Sequence, residues 1–358
     1  MSELINTHDN RATIRWKLLT GASALALATY VSSADLAKAE DTSQPQIWLE
    51  LDGGFTQLDN SLEPFQPDFT LVTPRKSFIT EGITGIQKNA RATFDGHAQI
   101  SFEPSGSDWT FSAGIRYGRD SRNKSSNQQS ATPTNIYRIA YAYQNAAAQS
   151  SESHLMLDFH ASKDVGLGLF GHGGNSAIGV GIRYAQLTAR NAINIQYNPT
   201  NSLRHFNHYY ASAALVHKFA GIGPSIAWNA STDLAGNKDD GGISLDWGVN
   251  AAALFGRQTA RGHHSSAGYH ISTHTHYGEA IGHSIYQRSA SPDRSKNVVV
   301  PDVGGFAAIS WFYPGAKVSI GYKADFFFNA IDGGIDARKE TNRGFFGPYA
   351  SISIGLGD

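Results

Sequence analysis

The last stretch of the chain, residues 343–358, alternates between two kinds of side chain. From Phe346 onward the even positions are apolar up to Leu356, whereas the odd positions are glycine, serine or Tyr349. Because successive side chains of a strand point to opposite faces, this pattern predicts a β-strand between two different environments. A terminal strand has an unpaired edge, which the first strand of the same chain could cover by closing a barrel. We therefore expect residues 343–358 to pair antiparallel with residues 47–55.

The same alternation recurs along the chain and predicts an all-β protein. The apolar face carries rings near strand ends, such as Trp109 and Tyr117. The polar face carries charges in mid-strand, which makes seven residues candidates for the lumen of a barrel: Arg91, Asp95, Arg116, Arg183, Asp246, Lys323 and Asp325. A soluble sandwich also alternates, but charged mid-strand positions and terminal rings favour a closed transmembrane barrel, in which every backbone group is paired.

The segments between these strands fall into two lengths, as in an outer-membrane barrel with short periplasmic turns and long extracellular loops. The predicted short turns are 103–108, 220–222 and 313–316, and the predicted long loops are 58–88, 120–134, 191–205, 229–241, 278–297 and 330–342. With both termini periplasmic, the number of strands must be even. If residues 136–161 form one crossing, the number is about twelve, and splitting that segment at 146–153 gives the alternative of about fourteen.

The first 39 residues differ from the rest and predict a secretory signal peptide. Arg11, Arg15 and Lys17 precede an apolar run over 18–31, and small residues around Lys38 suit cleavage before Glu40. An uncleaved membrane anchor is the alternative, but the run is shorter than the ~20 residues that a spanning helix needs. We therefore expect residues 40–358 to form an exported barrel in the outer membrane, with outer-membrane lipid and the barrel-assembly machinery as partners.

Composition removes several classes of function. The chain has no cysteine, which excludes thiolate metal sites and cysteine nucleophiles, and its net charge of −1 gives no argument for a nucleic-acid partner. Asp158, His160 and Ser162 are the residue types of a catalytic triad, but their spacing only places them side by side on one strand face. We therefore expect no enzymatic activity and no cofactor.

A histidine-rich segment is the one candidate for metal binding. His270, His274 and His276 share the parity of one strand face, so their imidazoles could point to one side and hold a metal. A polar strand near a loop, with histidines on its wet face, is the alternative interpretation.

Several motifs resemble those of the porin-like, pore-forming major outer-membrane proteins of Gram-negative bacteria. The resemblance rests on five stretches across most of the mature chain: 164–168 with the following 179–184, 246–250, 321–328, 332–336 and 344–349. It implies an outer-membrane barrel with a pore function. The chain departs from many such barrels in ending on Leu356, Gly357 and Asp358 instead of an aromatic residue.

These patterns lead to two hypotheses of function. The first is a passive diffusion channel for small polar solutes, because the inner face is charged. The second is a non-conducting surface barrel whose loops bind a ligand or partner, because a barrel of about twelve strands could be narrow or plugged.

Overall fold

The computed structural model describes most of the chain after residue 45. The described residues are 46–58, 62–63, 65, 71–73, 76–78, 92–127, 145–165, 174–197, 207–237, 241–273 and 280–356. Arg91, His274 and His276 lie outside them, as do the predicted signal peptide and residues 136–144 of the predicted crossing. Among the described residues, no helix has the length and apolarity needed to cross a membrane.

The described part of the chain is built from β-strands, as the alternation predicts. In chain order they are β1 (Gln46–Leu58), β2 (Leu71–Thr73), β3 (Lys76–Phe78), β4 (Ala92–Glu103), β5 (Trp109–Asn127), β6 (Asn145–Asp164), β7 (Gly174–Tyr197), β8 (Asn207–Asn237), β9 (Gly241–Thr273), β10 (Ala280–Ala290), β11 (Asp293–Tyr313), β12 (Ala316–Asp332) and β13 (Glu340–Gly355).

Ten of these strands close into one antiparallel ring in the order β1, β4, β5, β6, β7, β8, β9, β11, β12, β13 and back to β1. The short strands β2 and β3 pair only with each other, and β10 pairs with β9 outside the ring. Ala290 of β10 opposes His264, and Asp293 of β11 opposes Arg261. Since this register is unchanged across the gap, β10 continues β11 along the far end of β9.

The predicted seam of the barrel is confirmed. β13 pairs antiparallel with β1, with Gly355 opposite Trp48 and Phe345 opposite Leu58. The even residues of β13 face outward, as expected: Ile352 is 39% exposed, whereas the neighbouring Ser351 is 6% exposed. The terminal strand therefore has no unpaired edge.

The stagger of the strands sets the width of the barrel. Following the pairing register around the ring from Gln46 leads back to β1 at Leu58, a displacement of about 12 residues that tilts the strands by roughly 40°. A ring of ten strands is close to the ~8 strands whose interior side chains fill and far from the ~16 of an open channel. The lumen is therefore narrow.

The ring formed by the described residues has ten strands, which differs from the predicted number of about twelve and from the alternative of about fourteen. The turns at 103–108 and 313–316 are present, but β8 runs without interruption through the predicted turn at 220–222. Strands also occupy much of the predicted loops at 229–241 and 278–297. Around Ala220 the apolar side chains change from the inner to the outer face of β8. The alternation is interrupted there, and the sequence pattern therefore predicted a turn between two strands.

The outward side chains of the ring form an apolar belt. The belt comprises Phe55, Phe94, Ile100, Phe111, Ile115, Phe159, Val180, Ile182, Ile222, Ile226, Val249, Phe255, Val299, Val303, Ile309, Ile320, Phe326 and Ile352, each well exposed. Several strands continue beyond the belt. We call the part formed by 187–197 of β7, 207–219 of β8 and 257–273 of β9 the outer section. In the outer section the apolar side chains, such as Leu187 and Leu215, point inward and are buried.

Candidate functional site

The interior at the level of the belt is a layer of ionised side chains, which we call the polar layer. Arg116 of β5 lies near its centre. Its Nε donates to Asp95 Oδ2 at 2.7 Å, and its Nη1 forms an ion pair with Asp325 on the other side of the ring. Both carboxylates are buried. Because β5 and β12 are not neighbours in the ring, this pair crosses the lumen.

A lysine and two histidines extend this network towards β1. Lys323 Nζ lies 2.7 Å from Asp52 Oδ1 and 3.8 Å from Asp95 Oδ2. His97 Nδ1 lies 3.1 Å from Asp52 Oδ2. His154 Nε2 lies 3.4 Å from Asp95 Oδ1, so each of the two aspartates has several cationic or polar neighbours.

A second group in the polar layer surrounds Arg183 of β7. Its Nε lies 2.6 Å from Asp158 Oδ1, and its Nη1 donates to Asn250 Oδ1 at 2.8 Å and also pairs with Asp302 of β11. Lower on β9, Asp246 accepts hydrogen bonds from Ser231 and Ser310 and lies 2.5 Å from Lys317 Nζ. The contacts of Arg183 with Asn250 and Asp302, and that of Asp246 with Lys317, join strands that are not adjacent in the ring.

Glycine makes room for one of these side chains. A Cβ atom at Gly118 would lie 2.3 Å from the His154 ring, which therefore packs directly over the β5 backbone. We expect any larger residue at Gly118 to displace His154 from Asp95.

The polar layer contains the predicted lumen residues that the structure describes: Asp95, Arg116, Arg183, Asp246, Lys323 and Asp325 all point inward and are buried. Sequence reasoning missed Asp302, because residues 278–297 were interpreted as a loop and the start of β11 was not recognised. Around Arg116, Arg183 and Lys323 stand five aspartates in these contacts: Asp52, Asp95, Asp158, Asp302 and Asp325. The polar layer therefore has more acidic than strongly basic groups.

Above the polar layer lies a cluster of buried apolar side chains, which the sequence pattern did not predict, beside the buried ion pair of Arg343 and Glu152. This apolar layer comprises Met156, Ala185, Leu187, Phe219, Ala252, Leu254, Val300, Phe327, Ala330, Ile331 and Phe345. The Phe327 and Phe345 rings meet edge to face with centroids 5.9 Å apart, and both are fully buried. The apolar layer therefore fills the interior between β6 and β13.

The outer end of the barrel is closed by residues 333–339, which connect β12 to β13. Asp332 accepts hydrogen bonds from Arg294 Nε at 3.0 Å and from the backbone N–H groups of Lys339 and Gly334. Arg294 also donates to the carbonyls of Gly334 and Ile335. Burial alone would raise the pKa of Asp332, but these hydrogen bonds outweigh it and hold the pKa below its ordinary value.

A second apolar cluster fills the space around residues 333–339. It comprises Phe65, Ala146, Ile193, Ile195, Ala211, Ala213, Leu215 and Ile335. Ile335 belongs to the connection and Phe65 to the segment after β1, while the others belong to β6, β7 and β8. Both connecting segments are thus anchored inside the outer section.

The candidate metal ligand and the candidate catalytic residues do not form a site among the described residues. His270 lies in β9 opposite Ser284, and the described residues contain no group of side chains able to hold a metal. Asp158 is paired with Arg183, and His160 Nε2 lies 2.8 Å from Ser225 Oγ. The hydrogen-bond partner of His160 is therefore a serine of β8, not the Ser162 that sequence spacing suggested.

Comparison with known proteins adds little to this description. No family model matches the chain, and no curated protein matches its sequence. Among solved structures, the chain is similar to a deltaS2S3 mutant of TodX, a monoaromatic hydrocarbon channel, with 11% identity over 88% of this chain and 91% of that one and a TM-score of 0.22. It is also similar to the high-pH structure of Pseudomonas putida OprB, with 8% identity over 88% and 94% of the two chains and a TM-score of 0.17. Matches this weak carry no inference about the function of this chain.

Proposed function

We propose that this chain is an outer-membrane barrel that conducts small polar solutes through a lumen closed in its resting state by its own side chains. The belt supports the membrane location, because a closed ring with an outward apolar face satisfies every backbone group inside a bilayer. The predicted export signal at 1–39 agrees with that location. No catalytic role is assigned to any residue.

The observation that carries the proposal is the polar layer. Its ionised side chains cross the lumen at the level of the belt. A barrel with a purely structural role would be equally stable with apolar side chains in their place. Rings of acidic side chains favour cations in a pore. With five aspartates around Arg116, Arg183 and Lys323, the conducted solutes are expected to be cationic or neutral.

The apolar layer is the proposed gate. Phe327 of β12 and Phe345 of β13 occupy the lumen directly above the ion pairs. An apolar constriction stops ions by excluding water, so conduction requires these rings to move apart. Transient displacement would give brief openings of low frequency in the wild-type protein.

The test uses two matched pairs of phenylalanines on the same two strands. Phe327→Ala with Phe345→Ala removes the inner ring pair. Phe326→Ala with Phe346→Ala removes an outer pair whose centroids are 6.2 Å apart on the lipid-facing side. In planar bilayers the inner double variant is expected to show frequent stepwise, cation-selective conductance, whereas the outer double variant should resemble the wild type.

The opposite result is equally informative. If neither the wild-type protein nor the inner double variant shows conductance steps although both refold, the channel function fails. The second hypothesis, a non-conducting surface barrel with binding loops, would then remain, and the filled interior is the observation that favours it.

A further inference from the structure

Four basic side chains cluster on the outward face of β7, β8 and β9. Lys218 of β8 lies opposite Thr188 and Thr259 on its two neighbouring strands. Arg190, Arg257 and Arg261 are each its diagonal neighbours on the same face, about 7–8 Å away between Cα atoms. All four side chains are exposed. We call these four residues the basic patch.

The basic patch begins at the rim of the belt. Ile222, Phe255 and Val299 lie side by side in the last outward apolar row. Arg257 lies in the next outward row, Lys218 in the row after it, and Arg190 and Arg261 in the third. Two residues along a strand advance ~7 Å, or about 5 Å along the barrel axis at this tilt, so Arg257 lies in the headgroup layer of a bilayer that surrounds the belt, which is about 5–8 Å thick on each side. Lys218, Arg190 and Arg261 start farther out, and their long side chains can extend back towards that layer.

The charge of these rows is strongly positive. Outward residues of β7, β8, β9 and β11 in the three rows include one acid, Asp293, which lies 2.9 Å from Arg261 Nε. Both members of that pair are about two-thirds exposed, 66% and 64%, so it is weak in water. The uncharged residues between the basic ones include Thr259 and Ser295, whose hydroxyl groups can donate hydrogen bonds. Arg119 of β5 lies in the same row as Lys218, three strands away.

We propose that the basic patch binds the phosphate groups of a phosphorylated lipid whose acyl chains lie against the belt. A diagonal arrangement of Arg and Lys can reach one phosphate from several sides, and guanidinium groups pair with phosphate bidentately. The apolar row directly below accepts the hydrocarbon part of the same molecule. The proposal rests on the membrane location given above but does not depend on conduction.

The experiment measures lipid binding to the detergent-purified full chain by native mass spectrometry. The probes are diphosphoryl lipid A and the same lipid A with both phosphates removed. Each basic residue at a membrane surface contributes enough attraction that Lys218→Gln is expected to weaken binding of the phosphorylated lipid about fivefold. Lys163→Gln is the matched control, because Lys163 lies on the outward face of β6 at the end of the barrel opposite to the basic patch. It should leave the binding of the phosphorylated lipid unchanged.

Three further variants test the charge itself. Replacing Arg190, Arg257 and Arg261 together by lysine should preserve most of the binding, whereas replacing them together by glutamine should abolish the preference for the phosphorylated lipid. Asp293→Asn should strengthen binding, because it removes the competing carboxylate from Arg261. Circular dichroism of each variant checks that the barrel has folded.

Several results would overturn the proposal. One is equal binding of the two lipid A forms by the wild-type chain, and another is an unchanged preference in the triple glutamine variant. A third is loss of bound lipid on adding millimolar inorganic pyrophosphate alone, which would indicate a site for soluble phosphate. A barrel that binds lipid in this way and shows no conductance would contradict only the proposed channel.

Discussion

The two ends of β7, β8 and β9 use the same sheet in opposite ways. Within the belt Ile222 points outward and is 55% exposed, whereas in the outer section Phe219, three residues earlier on the same strand, points inward and is fully buried. On β9 the outward face changes at the same level, from Phe255 in the belt to Arg257 and Arg261 in the outer section, all of them exposed. β8 is continuous through this position, and its register with β9 is unchanged. The chemistry of the two faces changes, and the backbone does not.

This difference indicates where the surrounding solvent changes. A sheet in lipid needs an apolar outer face, and its inner face is free to be polar and ion-paired. A sheet in water needs the reverse, an apolar interior that holds it together. If the barrel lies in a membrane as proposed, the level of the inversion marks one boundary of the bilayer. It also explains why a charged polar layer is capped by an apolar one in the same lumen.

The largest expected effect comes from removing a charge from the polar layer. Arg116→Met leaves Asp325 and Asp95 buried without their main cationic partner, and breaking such a pair costs about 3–5 kcal/mol. Arg261→Met removes an arginine from an exposed pair in the outer section, for which about 0–1 kcal/mol is expected. Urea unfolding of protein refolded into bilayers measures both free energies.

Equal effects of the two arginine substitutions would contradict the distinction between the two sections. A variant in which Arg116→Met is combined with Asp95→Asn and Asp325→Asn serves as an internal check. It should recover part of the lost stability, because no unpaired charge is left behind.

A smaller effect on the free energy of unfolding is expected when a lysine is placed on the outward face, once in the belt and once in the outer section. Ala251 of β9 lies in the belt and Ala214 of β8 in the outer section, and both point outward. Ala251→Lys should reduce the free energy of unfolding from bilayers by roughly 2–4 kcal/mol, the cost of a lysine near the middle of the lipid face. Ala214→Lys should change it by less than about 0.5 kcal/mol, as a surface substitution in water does.

The two lysine variants also locate the boundary. In detergent micelles with short chains, the cost of Ala251→Lys should fall, since the hydrocarbon layer is thinner. A comparable cost at Ala214 would place that residue inside the bilayer and would remove the argument for a headgroup level at the basic patch.

Alternation alone predicted the strands whose faces keep one chemistry throughout. β1 and β13 lie mostly within the belt, so their pairing and the outward set from Phe346 to Leu356 followed directly from the sequence. β8 could not be predicted in one piece. Its 31 residues pass from water into the belt, and the change of apolar face at Ala220 resembles the ending of one strand and the beginning of another.

The charged character of the inner face could be predicted from the sequence, but the pairing of its side chains could not. Inward charges such as Arg116 and Lys323 followed from strand parity, but parity does not say which strands face each other across a ring. The partners Asp325 and Asp302 come from strands far away in the sequence. The apolar layer was missed because parity assigned polar residues to the inner face throughout. Leu187 and Phe219 in the outer section, and Leu254 next to it, are apolar and buried on the inner face.

The smallest effect concerns the connection at 333–339, where pH changes the charge of one anchoring group. The pKa of Asp332 is lowered, so its ionised form stabilises the native state at pH values above the ordinary aspartate pKa of about 3.9, and this contribution is lost as pH falls through the lowered value. Asp332→Asn keeps the shape but not the charge. The melting temperature of the wild type should exceed that of the variant above about pH 5, and the two should converge as pH falls below about 4. A difference that persists unchanged at low pH would show that Asp332 anchors residues 333–339 through its shape and neutral hydrogen bonds instead of its charge.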